Sequence, residues 1–201
     1  MTAPQLVLAS GSPRRADVLR QLGLDPVVSP SDVDEAHLHG ESPSEHVERL
    51  ARAKAETVAA AYPGALVIGG DTVGVDGERI LGKPADESDA VAMLLSLSGR
   101  THQVLTGIAL CGAHGTVSLV SRADVRFRAF DQSVAREYAS TGEPLDKAGS
   151  YGIQGLGAAL GEGIDGDYYS VLGFPVDAFI RLLEQAGWHY DFGSLSPANG
   201  L

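Results

Sequence analysis

Short apolar runs alternate along this chain with stretches whose apolar residues repeat at helical spacing. A run at 5–9 predicts a strand, and the repeat across 14–22 predicts the helix that follows it. Strands that alternate with helices in this way are typical of an α/β fold. Further strands are predicted at 25–29, 65–68, 72–75, 79–81, 101–111 and 116–127, and further helices at 42–61, 86–97, 131–140 and 175–186.

Turn and capping residues mark several of these boundaries. Ser42-Pro-Ser-Glu45 forms a capping box with proline at the first helical position, and Asp76-Gly77 is a strong hairpin signal. The glycine-rich stretch 142–166 is predicted to be irregular. We predict one domain over residues 1–192 and a flexible tail over residues 193–201.

Composition restricts the classes of partner. The chain has 201 residues, of which 44% are hydrophobic, enough for a substantial core in one domain or two closely joined lobes. A formal net charge of -11 argues against nucleic acid as a partner. The single cysteine, Cys111, fits a reducing compartment, and no run approaches the length of a membrane span. We therefore expect a cytoplasmic protein without a membrane partner.

The first candidate for chemistry lies between the first strand and the first helix. Ser10-Gly-Ser12 forms a tight loop, and Arg14 and Arg15 follow Pro13 in the first helical turn. Two cations at the positive end of a helix dipole are unfavourable, and a bound polyanion would compensate for them. Hydroxyls, guanidiniums and unbonded helical N–H groups together favour a phosphate site. The alternative is a strand-turn-helix with solvated arginines.

Two acidic residues could bind a metal or activate water. Asp71 follows a hydrophobic strand and two glycines, a place that faces the ligand crevice in open α/β sheets. Thr72 could hydrogen-bond a ligand beside it. Glu35, in a polar acidic loop, is a second candidate metal ligand or acid/base group. A turn aspartate and a solvent-facing glutamate are the alternatives.

Two lysines could add positive charge to such a site. Gly82 and Pro84 restrict the backbone around Lys83, and Lys54 lies on the inner side of its helix. Solvated or snorkelling lysines are the alternatives. The six histidines show no H-x-x-x-H spacing and no P-loop motif occurs, so neither a zinc site nor a P-loop is expected.

The segment 142–157 is the second strong feature. Its glycines favour close backbone approach, while its interleaved apolar residues favour burial over a mobile surface loop. Gln154, between Ile153 and Gly155, is a candidate for recognising the edge of a base.

Taken together, these motifs resemble the Maf family of septum-formation-inhibitor-like nucleoside triphosphate pyrophosphatases. The resemblance runs from about Leu6 to Leu183. It implies an α/β fold with a mixed, strongly curved sheet and flanking helices in two lobes around a deep cleft, similar to the inosine triphosphate pyrophosphatases. The motifs are Ser10-Gly-Ser-Pro-Arg-Arg15, Gly70-Asp-Thr72, Leu81-Gly-Lys-Pro84, Ser98-Gly-Arg-Thr-His-Gln103 and Asp146-Lys-Ala-Gly-Ser-Tyr-Gly-Ile-Gln-Gly155.

The resemblance also implies an activity. It implies hydrolysis of the α–β phosphoanhydride of a nucleoside triphosphate, with a divalent cation (Mg²⁺, Mn²⁺ or Co²⁺) and a homodimeric assembly. The Tyr-Gly-Ile-Gln-Gly form at 151–155 is similar to the branch that acts on dTTP and UTP, whereas the 7-methyl-GTP branch typically has Glu in place of Gln154.

Site residues follow from the same resemblance. It places the general base at Asp71, substrate choice at Arg14, Thr72 and Gln154, and metal ligation at Asp71 and Glu35. Catalytic roles extend to Lys83 and Glu35. The wider polar site matches Ser10, Ser12, Arg15, Glu35, Lys54 and Lys83.

Two other functions stay open on sequence grounds. One is a pyrophosphatase for a methylated purine nucleotide, and the other is a nucleotide-binding regulator of cell division without turnover. Placed carboxylates against an anionic ligand favour catalysis, because a protein that only binds the anion has no need of them.

Overall fold

The computed structural model describes residues 4–77 and 79–198. The chain divides into two compact units. The first contains Met1–Asp71, Thr106–Ser121 and Gly173–Leu201, and the second contains Thr72–Leu105 and Arg122–Leu172. Each unit is described by itself below.

Helices and strands alternate through most of the chain, as the sequence predicts. The strands are β1 (Leu6–Leu8), β2 (Val27–Val28), β3 (Leu66–Asp76), β4 (Arg79–Leu81), β5 (Thr101–Gly112), β6 (Gly115–Phe127), β7 (Gly161–Gly166), β8 (Trp188–Tyr190) and β9 (Leu195–Pro197). The helices are α1 (Pro13–Gln21), α2 (Pro43–Ala59), α3 (Glu87–Leu97), α4 (Gln132–Ala139), α5 (Tyr168–Leu172) and α6 (Val176–Gln185). Short 3₁₀ turns occupy Glu143–Asp146, Ala148–Ser150 and Leu156–Leu160.

Strand pairing shows that the sheet is mixed. The hydrogen-bonded order is β2-β1-β3-β5-β6-β7, with β4 beside β3. β1 runs parallel to both β2 and β3, whereas β3–β4 and β6–β7 are antiparallel pairs. A mixed α/β fold with flanking helices is thus confirmed, while the strong curvature of the sheet and the two-lobed cleft stay predictions.

Local capping explains where three of the helices begin. The hydroxyl of Ser42 accepts a hydrogen bond from the Glu45 N–H, and the Glu45 carboxylate accepts one from the Ser42 N–H, which completes the predicted capping box of α2. Asp86 and Asp131 cap α3 and α4 in the same general way, through a carboxylate that accepts backbone N–H groups.

The first unit is organised by an unusually close contact between α2 and the sheet. A Cβ at Gly69 on β3 would overlap the carbonyl oxygen of Ala51 and lie 2.7 Å from the Ala55 nitrogen, and a Cβ at Gly107 on β5 would overlap the carbonyl of Val47. Ala51 and Ala55 are fully buried at this contact. Only glycine on the strands and alanine on the helix allow the two backbones to approach so closely.

The second unit has its own apolar core. Leu94 and Leu97 of α3 pack with Phe127 of β6 and with Tyr151 from the glycine-rich segment. His102 adds a buried ring whose Nε2 lies 2.8 Å from the Tyr151 hydroxyl oxygen. Burial lowers the pKa of His102 to about 4, so the ring is neutral at physiological pH.

The structure differs from the sequence prediction at the two glycines before Asp71. Gly69 and Gly70 were expected to end a strand, but β3 continues through both glycines and through Asp71 as far as Asp76. The absent side chain of Gly69 serves the close contact with α2, and a Cβ at Gly70 would lie 3.2 Å from Nε of Arg15. The expectation that Asp71 follows the end of a strand is therefore wrong.

The C-terminal part of the chain contains elements that the sequence analysis did not predict. β7 forms within the stretch expected to be irregular, and α5 follows it. β9 lies within the predicted flexible tail, yet it pairs with β8, and Leu195 is buried. The rest of the tail prediction extends to residues 199–201, which lie outside the described residues.

Replacing Gly69 by alanine tests the close contact. The added methyl group meets helix backbone, which cannot rotate away, so Gly69→Ala should lower the free energy of unfolding by at least about 2 kcal/mol. Gly82→Ala is the matched control, because a Cβ there meets nothing within 4 Å. Urea denaturation measures both, and equal midpoints for the two variants would contradict the packing described.

Candidate active site

The centre of the candidate site is Asp71, a carboxylate held in the middle of a buried strand. The residue is only 8% exposed, and its side chain points toward the helix that packs on Gly69. Buried carboxylates are unfavourable without a hydrogen-bonding or charged partner, so the residues that contact Asp71 matter for the stability of the site.

Lys54 of α2 supplies that partner and links Asp71 to a second carboxylate. The Nζ atom of Lys54 lies 2.8 Å from Oδ1 of Asp71 and 2.6 Å from Oε1 of Glu35. Lys54 is as buried as Asp71, whereas the Glu35 side chain is 56% exposed. One ammonium group therefore connects a carboxylate fixed in a strand with one carried on a loop.

Arg15 adds a second cation to the same cluster. Its Nη1 donates to Oγ of Ser10 at 2.9 Å, and its Nε donates to the carbonyl oxygen of Gly173 at 2.8 Å. Burial lowers the pKa of Arg15, and the nearby Asp71 carboxylate opposes that effect. The guanidinium stays charged at physiological pH, because the pKa of arginine starts far above that range.

The start of α1 has the polar groups that the sequence analysis singled out. Ser12 occupies the N-cap position, its side chain makes no capping bond within the described residues, and its N–H donates to Ser10 Oγ at 3.2 Å. Arg14 is half-buried at the second helical position. The anion predicted to bind at this helix start stays a prediction, while Ser10 and Gly173 accept hydrogen bonds from the guanidinium of Arg15.

Three of the predicted site residues belong to the second unit. Thr72 is half-buried on β3, directly after Asp71 in the chain, and Lys83 is exposed just beyond β4. Gln154 is exposed in the glycine-rich segment. A hydrogen bond from the Gly149 N–H to the Gly82 carbonyl (3.0 Å) ties that segment to the neighbour of Lys83.

Comparison with known proteins identifies the family. The model of the Maf-like protein family matches residues 5–186 of this chain. The chain belongs to the Maf family. A Maf relative from Symbiobacterium thermophilum, named dTTP/UTP pyrophosphatase, is 52% identical over 186 residues, which are 92% of this chain and 95% of the relative.

Two further comparisons concern a second curated relative and a solved structure. A relative from Myxococcus xanthus with the same name is 50% identical over 182 residues, which are 90% of this chain and 92% of the relative. Among solved structures, the Staphylococcus aureus Ham1 protein aligns with a TM-score of 0.44 at 19% identity, covering 61% of this chain and 71% of that one. Within the part of the chain that the structure describes, no helix has the length and apolar character needed to cross a membrane.

The acidic pair predicted to bind a divalent cation holds the Lys54 ammonium group in this structure, so the metal site stays a prediction. Asp71 and Glu35 both direct a carboxylate oxygen at the same point, which the Lys54 ammonium nitrogen occupies. Carboxylate oxygens are preferred ligands of Mg²⁺ and Mn²⁺.

A second group with metal-ligand chemistry lies elsewhere in the first unit, and the sequence analysis missed it. Ligand atoms of His37, Glu41 and His46 lie within 4.8 Å of one another. Arg49 already fills this place, because its Nη2 contacts Glu41 Oε2 at 2.9 Å, the Ala36 carbonyl oxygen at 3.1 Å and His46 Nδ1 at 3.3 Å. A guanidinium is thus the cation of this cluster.

A surface groove lies within the second unit. It has a volume of about 750 Å³ and lies along α3 and α4, where Val91, Leu95 and Arg136 contribute to its lining. None of the residues singled out from the sequence lines it, so it does not change the assignment of the site.

Removing the ammonium group of Lys54 tests its link to Asp71. Lys54→Met leaves a buried carboxylate without its donor, which should lower the free energy of unfolding by about 1–3 kcal/mol. Asp71→Asn should lower the free energy of unfolding less in the Lys54→Met variant than in the wild type, because the two residues interact directly. Denaturant unfolding of the four proteins measures the coupling, with the exposed Lys83→Met as control; additive losses would contradict a direct link.

The pH dependence of stability tests the Glu41 cluster. Hydrogen bonding to Arg49 lowers the pKa of Glu41 to about 2, so its contribution to stability is complete above its ordinary pKa of 4.5 and is lost as pH falls toward 2. Glu41→Gln should cost about 1–3 kcal/mol at pH 7, and the difference from wild type should shrink between pH 5 and pH 2. Thermal unfolding at several pH values measures this, and a constant difference would show that the carboxylate charge is irrelevant.

Proposed function

We propose that this Maf protein hydrolyses the α–β phosphoanhydride of dTTP and UTP to the nucleoside monophosphate and pyrophosphate. Two relatives named dTTP/UTP pyrophosphatase, at 50% and 52% identity over at least 90% of the chain, support the substrate class. The observation that carries the enzymatic proposal is the buried Asp71 carboxylate, held by Lys54 beside Arg15. A protein that only bound an anion would gain nothing from a carboxylate at that place.

Asp71 acts as the general base in this proposal. A water molecule attacks the α-phosphorus, its proton passes to the Asp71 carboxylate, and the bond to the bridging oxygen breaks so that pyrophosphate leaves. Lys54 restricts the orientation of that carboxylate through its 2.8 Å contact with Oδ1. Fixed orientation matters because proton transfer requires hydrogen-bond distance and alignment.

The cations of the first unit offset the charge of the triphosphate. Arg15 is fixed by two hydrogen bonds, and Arg14 precedes it at the N-terminal end of α1. Helix N–H groups at this end add a favourable partial positive charge. Ser10 and Ser12 provide hydroxyls in the loop before them. The exposed Lys83 is a further cation of the proposed machinery.

Recognition of the base is assigned to Gln154, with Thr72 as a further hydrogen-bonding group. An amide side chain both donates and accepts a hydrogen bond, which suits the adjacent N–H and carbonyl groups of uracil and thymine. Exposure of the Gln154 side chain leaves it accessible to a ligand.

A divalent cation completes the proposed site through Asp71 and Glu35. Bound there, the cation would neutralise phosphate charge and lower the pKa of the attacking water. The ammonium group of Lys54 now lies between these two carboxylates, so the cation would have to displace it from at least one of them.

Product analysis with Asp71→Asn tests the proposed reaction. With Mg²⁺, the wild type should convert dTTP and UTP to monophosphate and pyrophosphate, and the variant should lose at least about 100-fold in kcat because it lacks the base. Asp25→Asn, at a side chain that is 95% exposed, should keep wild-type activity. Chelation of the cation by EDTA should stop turnover, and added Mg²⁺ should restore it.

The products separate the possible failures. Release of orthophosphate would show that a bond other than the α–β phosphoanhydride is cleaved. Absence of turnover with retained nucleotide binding would make this Maf protein a sensor.

A further inference from the structure

One carboxylate, that of Glu143, organises the glycine-rich segment of the second unit. Its Oε1 accepts hydrogen bonds from the Tyr138 hydroxyl (2.9 Å) and the Gly157 N–H (3.0 Å), and its Oε2 accepts one from the Leu156 N–H (3.0 Å). Two of the three donors are backbone N–H groups at the far end of the segment, so this carboxylate holds that end in place.

Tyr138 extends this arrangement to the near end of the segment. Its hydroxyl oxygen accepts a hydrogen bond from the Gly152 N–H at 3.0 Å while it donates to Glu143. Residues 152 and 156–157 are therefore fixed to the same two side chains. We call Tyr138 and Glu143 the loop anchor.

The glycines of the segment are required by its contact with the loop anchor. A Cβ at Gly157 would overlap the Gly152 carbonyl and lie 2.5 Å from the Tyr138 hydroxyl oxygen, and one at Gly155 would lie 2.9 Å from Glu143 Oε2. Gly155 also has a φ of 88°, which side-chain-bearing residues rarely adopt. The backbone is thus wrapped closely around the anchor.

At neutral pH, Glu143 and Tyr138 both have the protonation state that their hydrogen bond requires. Burial raises the pKa of Glu143, but hydrogen bonds from Gly157, Leu156 and Tyr138 outweigh it and lower the pKa overall. Burial raises the pKa of Tyr138 above its ordinary value. At neutral pH the carboxylate is therefore ionised and the phenol keeps the proton that it donates.

Tyr151 provides additional support within the segment, directly before residue 152. Its hydroxyl oxygen lies 2.8 Å from Nε2 of His102, and its ring packs edge-on against Phe127 at a centroid distance of 4.7 Å. The residue next to Gly152 is therefore fixed in the core of the second unit.

Gln154 lies between the anchored points and has a different environment. Its side chain is exposed, and within the described residues no hydrogen bond to it is present. The anchor thus fixes the backbone on both sides of Gln154 and leaves its amide to an outside partner.

We propose that Glu143 and Tyr138 are positioning residues for nucleobase recognition: they hold residues 152–157 so that the Gln154 amide meets the edge of the pyrimidine. This inference rests on the proposed function, in which Gln154 contacts the base. A pre-organised amide loses less conformational freedom on binding, so the loop anchor improves affinity and discrimination without touching the substrate.

Glu143→Gln is the informative substitution. The variant keeps the size of the side chain, but whichever way its amide turns, its NH₂ group faces a donor at Oε1 or Oε2. We expect amide exchange at residues 152–157 to rise about tenfold, the KM for dTTP and UTP to rise about tenfold, and kcat to change by less than about threefold.

The selectivity of the full-length protein distinguishes positioning from general damage. The ratio of kcat/KM for UTP to that for CTP and for GTP should fall about tenfold in Glu143→Gln. In a Gln154→Ala background, Glu143→Gln should have little further effect on the ratio, because the residue through which it acts is gone. Glu137→Gln, on the exposed side of α4, is the matched control and should retain wild-type exchange and kinetics.

Tyr138→Phe provides an independent variant if Glu143→Gln does not fold. It removes only the hydroxyl that bridges Gly152 and Glu143, and it should produce the same shifts in exchange and KM. Tyr168→Phe, at an exposed tyrosine of α5, is its control.

Three outcomes would overturn the inference. Raised exchange with unchanged selectivity would show that the anchor holds the loop without serving recognition. Equal losses on every nucleotide, in both the wild-type and the Gln154→Ala backgrounds, would show a purely structural role. Unchanged amide exchange and unchanged kinetics would show that Glu143 and Tyr138 do not hold the segment. By contrast, unaltered selectivity in Gln154→Ala alone, or no hydrolysis of dTTP and UTP by the wild type, would refute the proposed function itself.

Discussion

The close approach of α2 to β3 and β5 is the constraint on which the first unit depends. Gly69 and Gly107 leave no Cβ at the closest points of the strands, and Ala51, Ala55 and Ala109 keep the neighbouring side chains small. Because the two backbones nearly touch, Lys54 on the same helix reaches the Asp71 carboxylate two residues beyond Gly69. A larger side chain at the contact would move the ammonium away from the carboxylate. The Lys54–Asp71 pair therefore depends on the close packing of α2 on the strands.

Electrostatics in this cluster differ from those of the chain as a whole. The formal net charge of -11 would repel a triphosphate, yet Lys54 and Arg15 balance Asp71 and Glu35 locally. Neutral oxygens of Ser10 and Gly173 hold the guanidinium of Arg15 in place without cancelling its charge. The cluster is therefore neutral on a strongly acidic chain, and the guanidinium of Arg14 adds a further positive charge close to Arg15.

Glycine serves two distinct physical purposes in the two units. On β3 and β5 it permits the packing of a helix, in an extended strand that any residue could adopt. Between residues 152 and 157 it lets the backbone wrap around the loop anchor, and Gly155 adopts a conformation that other residues avoid. Composition alone shows only that glycine is frequent, so the two purposes could not be told apart before the contacts were known.

Local patterns in the sequence determined much of this protein: the alternation of strands and helices, the capping box at Ser42, the hairpin at Asp76-Gly77, and the family motifs that led to Asp71, Lys54 and Gln154. These features depend on neighbouring residues, whose spacing is visible in the chain. The tertiary structure alone decided that β3 runs through Asp71, that Lys54 joins Asp71 to Glu35, and that Glu143 and Tyr138 hold the segment around Gln154. Such contacts join residues up to 19 positions apart, as Glu35 and Lys54 are, or bring a helix against a strand. They depend on distances between backbones that no local pattern encodes.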